Sequence, residues 1–249
     1  MRRMNRRSDT HNGKMLAVDG RRMLTQKLFY IMIACSFVLP ILVIVMTTMA
    51  GGGELFTSAW QAIGSADGGM SMDLTTMCNI NMIFFLAAVF ACLFTADDFR
   101  SGACKNIFAV RAEKSDYVSA KIAVSFVTGS GMLLAYFAGS MLAARMVGLT
   151  FAMEGFSAWN LLLCMISKVL LMAIFAAIYV LMSVIAKRRS WMSLLLSFTV
   201  GMFMFMVIPM MTPLNAGLIN VIMCLAGAVL FTAAIGSAGR MVLDRTDIL

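Results

Sequence analysis

Residues 28–48 read LFYIMIACSFVLPILVIVMTT, twenty-one residues without one Asp, Glu, Lys or Arg. Bilayer hydrocarbon is about 30 Å thick, and a helix rising about 1.5 Å per residue crosses it in about 20 apolar residues. This stretch therefore reads as a membrane span. Thr48-Met49-Ala50 resembles a signal-peptide cleavage site, but 27 residues carrying eight Lys or Arg precede the segment. Its apolar length also exceeds the usual signal core of about 7–15 residues, so retention is the better reading.

Five more segments repeat the pattern: Thr76–Thr95, Ile122–Ala144, Val169–Ala186, Trp191–Ile208 and Gly217–Gly239. None contains a charged side chain. Pro209 and Pro213 follow the fifth and leave a partial or re-entrant element as its alternative. Composition agrees, since 61% of the 249 residues are apolar and only 13% charged, about half the charge that a soluble domain carries. The expected fold is an all-α membrane protein with six transmembrane helices. Residues 1–27 form a basic tail with an amphipathic interfacial helix, and residues 28–249 form one transmembrane domain with a cytoplasmic loop at 96–121. Leu16, Met23 and Leu24 are expected toward lipid, with Asp19, Arg22 and Gln26 toward water.

Basic residues set the orientation. Eighteen of the twenty fall in the tail, in the loops after the second and fourth segments, and at the C-terminus, against Arg145 and Lys168 on the other side. The positive-inside rule then puts both termini in the cytoplasm, and Lys168 is expected to snorkel to the outer interface. The net charge of +8 is a topology signature and an attraction to anionic membrane lipid rather than to nucleic acid. The external connections are short, with glycine turns at 51–53 and 68–69 and no room for a separate domain.

Several chemistries are excluded. The chain has no phosphate-cradling GxxxxGK[ST] motif, and its one histidine, His11, lies in the tail, so no His-paired zinc site or Ser/His/Asp triad fits within the spans. No catalytic, cofactor or metal residue is assigned. The six cysteines read as free thiols, five of them in or beside apolar segments. Asn79, Asn81 and Asn220 near the outer ends of spans need partners and read as interhelical bonds. Pro40 frees a backbone carbonyl within the first span. Gly131, Ala135, Gly139 and Ala143 recur every four residues and form a small-residue ridge, expected to pack against a helix of the same chain or of a second copy.

Two segments beside the spans carry a resemblance. The first is residues 15–30, running into the first span. The second is Asp97-Asp98-Phe99-Arg100-Ser101-Gly102-Ala103-Cys104-Lys105-Asn106-Ile107 with Ser115-Asp116-Tyr117-Val118-Ser119-Ala120-Lys121. Together with the six-span plan they resemble the permease subunits of type-two ABC exporters, especially small ones associated with peptide, lantibiotic and drug export or self-immunity. Asp98, Gly102, Lys105, Asn106, Tyr117 and Lys121 take the family's positions. Ala103 stands where Thr is usual, and Glu113-Lys114-Ser115 replaces the usual Ser-Arg order. The resemblance implies a transport subunit of the bacterial cytoplasmic membrane with no ATPase of its own, coupled through Asp98, Gly102, Lys105, Asn106 and Tyr117. ATP and Mg would be bound by a separate ATPase subunit, and a second permease, identical or related, would complete the pathway. The alternatives are an ATP-independent channel or carrier and a membrane scaffold without transport.

Overall fold

A computed structural model describes residues 15–49, 56–65, 78–109, 114–153, 155–187 and 189–245, with the side chains of 49, 105, 106 and 109 outside the description. His11, the basic residues of 1–14, Pro40's downstream glycine turn at 51–53 and the glycines at 68–69 include positions outside it; Pro40 itself is described.

The described residues are helical, apart from short connections and one isolated bridge between Ser58 and Thr150. Helix α1 covers 15–25. It is followed by α2 (Lys27–Met49), α3 (Met82–Arg100), the short α4 (Ala103–Ala109), α5 (Lys114–Val147) and α6 (Ala158–Ala186). The chain then forms α7 (Ser190–Phe205), α8 (Val207–Met211) and α9 (Leu218–Asp244). Among the described residues five helices, α2, α3, α5, α6 and α9, are long and apolar enough to cross a membrane, where the sequence reading expects six. The fifth apolar segment is divided instead. Helix α7 has 16 residues, about 24 Å, and α8 follows a break at Met206 with Pro209 inside it.

Helix α6 is central, packing against α9, α3, α5 and α7, while α2 lies along α5. Phe84, Phe90, Phe94, Phe175 and Tyr179 fill the interior between α3 and α6. Tyr30, Ile31, Leu42 and Met46 of α2 and Ile219, Ile222, Leu230 and Phe231 of α9 point outward. A soluble protein would leave these side chains in water, so their exposure fits a lipid-facing surface or a partner helix.

Helix ends follow local chemistry. Helix α3 starts at Met82 rather than Thr76, because Asn79 Oδ1 accepts from Asn81 N at 2.9 Å and Tyr136 hydroxyl donates to Cys78 O at 2.9 Å. Ser157 Oγ accepts from Asn160 N, and Asn160 Oδ1 accepts from Ser157 N, a reciprocal cap that starts α6. Opposite the charged end of α3, Trp60 packs edge-on against Phe151 and Phe156, and Leu214 N donates to Ser65 O at 3.0 Å. The described parts of the connections there thus pack together over the end of the bundle.

The small-residue ridge packs within the chain. A Cβ on Gly139 would lie 2.2 Å from Phe37 O and 2.9 Å from Pro40 Cγ, and one on Gly131 would lie 3.3 Å from Ile33 Cδ1. Ala143 is buried with Ile44, and Ala135 is half-buried. Glycine at 139 allows α5 to meet α2 at the proline.

Lys168 does not snorkel. Its side chain is fully buried, and Nζ donates to Asn81 Oδ1 at 2.8 Å and to Thr212 Oγ1 at 2.9 Å. Helix α6 starts ten residues before Lys168, so the residue lies about 15 Å inside the helix rather than at its end. Two oxygens from α3's cap and the end of α8 replace the water that an interface would supply. Asn81 therefore bridges helices. Among the described residues the Asn79 side chain bonds within its own turn, and Asn220 caps α9 through Gly217 N and reaches Met211 O.

Candidate functional site

The resemblance singled out Asp98, Gly102, Lys105, Asn106, Tyr117 and Lys121. Asp97-Asp98 falls in the last turn of α3, where the apolar run ends. Serine follows as cap: Ser101 N and Oγ donate to Asp97 O at 2.9 and 2.7 Å. Gly102 then adopts φ +74°, the left-handed conformation that ends a helix at little cost only when no Cβ is present. The chain turns there into α4. Lys105 and Asn106 sit on α4, but their side chains lie outside the description.

Asp98 is fully buried and central to an ionic network. Arg22 bonds Asp98 through one guanidinium nitrogen and Asp97 through another. Lys121 Nζ, also fully buried, lies 2.7 Å from Asp98 Oδ2 and 3.0 Å from Asp19 Oδ1. Both cations stand over the ring of Phe94, Lys121 at 4.1 Å and Arg22 at 5.3 Å from its centroid, which adds an aromatic face to the charge pairing. Tyr117 hydroxyl donates to Asp98 Oδ2 at 3.1 Å. Cys104 of α4 reaches the same hydroxyl at 3.6 Å, and Phe108 packs edge-on against the Tyr117 ring. Three carboxylates, two cations and a phenol thus bind α1, α3, α4 and α5 together.

Burial works against the Arg22 charge, but Asp98 and Asp97 outweigh it and hold the guanidinium proton above the ordinary arginine range. Burial pushes the Cys104 thiol up to about 11, so it is protonated near neutrality and is a poor nucleophile.

The network corrects the expected placement of the polar stripe of α1 and of Met23, whereas Leu16 and Leu24 stay on the outer face. Asp19, Arg22, Met23 and Gln26 recur at helical spacing, but this stripe faces the protein: Asp19 and Met23 are buried, and Arg22 is half-buried. Leu16, Val18 and Leu24 are exposed on the other side. Charge on the inner face has partners in α3 and α5, so water is not needed to solvate it.

Sequence reasoning placed Asp98, Tyr117 and Lys121 in one motif but missed Asp19, Arg22 and Phe94. A signal for the first two was present. Asp19 and Arg22 are three apart on a helix, hence on one face, and the adjacent carboxylates Asp97 and Asp98 end an apolar span where counter-ions are needed. Nothing in the sequence pairs them across 76 residues, as Arg22 and Asp98 are. A second constellation, Lys168 with Asn81 and Thr212, lies at the opposite end of the bundle and has only neutral bonding partners among the described residues.

The family model described as ABC-2 family transporter protein matches residues 24–204, well over half of the chain. No curated protein and no solved structure matches it.

Proposed function

This chain belongs to the ABC-2 family of transporter proteins, and on that premise we propose that it is the membrane-spanning permease of an ATP-driven exporter. Its substrate class is a peptide, drug-like or lipid-like molecule. A separate ATPase subunit binds ATP and Mg and docks on the 96–121 segment, and a second permease completes the path. Six crossings place both termini in the cytoplasm. The fifth combines α7 and α8, which together cover 190–211, about 33 Å at 1.5 Å per residue. The eighteen-to-two division of basic residues supports this orientation.

The single observation that carries the coupling role is the buried network on Asp98. Helix α4 follows a left-handed glycine and packs through Cys104 and Phe108 on Tyr117, which bonds Asp98. A force applied to α4 from the cytoplasm therefore passes into α3 and α5 through a buried contact, and into α1 through Arg22. Asp98 is enclosed and already paired, so its part is to hold α1, α3 and α5 as one body, while α4 presents the contact. ATP-driven closure of two ATPase subunits would then move this body as a unit.

Cross-linking tests this reading. A single cysteine at position 105, in a variant with the native cysteines removed, should cross-link to the co-expressed ATPase, whereas one at Ser237 on α9 should not. An absence of ATPase cross-links throughout 96–121 would refute the docking assignment.

A further inference from the structure

A pocket of about 270 Å³ lies beside the charged network, where α1 gives way to α2. Gln26, Lys27, Arg100 and Ser190 supply its polar wall, and Leu28 and Phe94 its apolar one. Lys27 and Arg100 are exposed and form no ion pair among the described residues. Asp97 also lines the pocket, but Arg22 occupies it. Gln26 Oε1 is buried without a hydrogen-bond partner. Helix α2 begins at Lys27 and α7 at Ser190, so the positive dipole ends of two helices meet at the pocket.

We propose that this pocket binds the phosphodiester headgroup of an anionic phospholipid. Lys27 and Arg100 pair with the phosphate, assisted by the two helix ends. A headgroup hydroxyl donates to Gln26 Oε1, the acceptor that lacks a partner. Leu28 and the half-buried Leu93, which also lines the pocket, receive the glycerol and the first methylenes, so the polar-to-apolar change across the pocket matches that along a lipid. Other phosphate esters share the headgroup chemistry. The membrane is the favoured source because the apolar wall opens beside an outward-facing helix, α2. This assignment rests on the proposed placement of this end of the bundle at the membrane surface, but not on ATPase coupling.

Native mass spectrometry of the delipidated full chain, titrated with phosphatidylglycerol, tests the inference. Wild type should retain one tightly bound lipid. K27Q/R100Q should bind it about tenfold or more weakly, while K27R/R100K and R240Q, which changes an exposed cation on α9, should bind as wild type does. Single K27Q and R100Q variants carry the same comparison if the double variant elutes aggregated. Wild-type affinity in the glutamine variants, or an equal loss in R240Q, overturns the site. Displacement of the lipid by millimolar glycerol phosphate overturns the membrane as its source. Because binding is read without the ATPase, failure of the coupling model leaves this result standing.

Discussion

At the scale of single residues, Lys121 shows how a charge is kept inside an apolar protein. Its ammonium lies within 3.0 Å of Asp19 and Asp98 and 4.1 Å from the Phe94 centroid. A buried pair contributes little relative to an apolar replacement of both partners, whereas removing one partner strands the other and costs about 3–5 kcal/mol. Lys121→Met should therefore destabilise the purified chain by about 3 kcal/mol or more. Adding Asp98→Asn should cost clearly less than the two single effects combined, with a coupling of about 1–3 kcal/mol. The measurement is a double-mutant cycle on equilibrium unfolding in mixed micelles, and strict additivity would rule out an energetic pairing. Asp98 and Lys121 were both visible in the sequence as members of one motif. That they share one carboxylate–ammonium contact was not, because spacing along the chain does not specify which helices approach each other.

At the scale of elements, the α2–α5 contact turns on Gly139. The approach of Phe37 O to the site of its missing Cβ is 2.2 Å, and the obstructing atom is backbone, which moves only if α2 moves. Gly131 faces instead the end of a flexible Ile33 side chain at 3.3 Å. Gly139→Ala should cost about 1–3 kcal/mol through overpacking, and Gly131→Ala less than about 1 kcal/mol. Thermal unfolding in detergent reads the difference, and equal melting temperatures for the two variants would contradict the geometry. The four-residue repeat made a packing ridge legible in the sequence but left its partner open. Only the fold selects α2, whose Pro40 lacks an N–H and sits against the glycine. Helix α1 shows the converse: its spacing was legible, but its inward face was misassigned, since polar residues point to water only where no protein charge is available.

At the scale of the whole molecule, the distribution of basic residues makes a topology prediction. Single cysteines at 52 and 154 should react with an impermeant maleimide in intact cells, and cysteines at 111, 188 and near the C-terminus only after permeabilisation. External labelling of the C-terminus would require an odd number of crossings and defeat the six-crossing plan.

The sequence by itself determined that this is a helical membrane protein, where its apolar segments lie and which ends gather the basic charge. Those properties follow from composition along the chain, because hydrocarbon thickness sets segment length and five of the six segments form helices that meet it. Tertiary structure alone decided that Lys168 is enclosed and that Asp19 meets Lys121 across 102 residues, while the prolines after the fifth apolar segment had already left an interrupted element open and the structure puts the break at Met206. The two charge contacts depend on how close helices come, and a buried charge takes the partner that packing brings within reach.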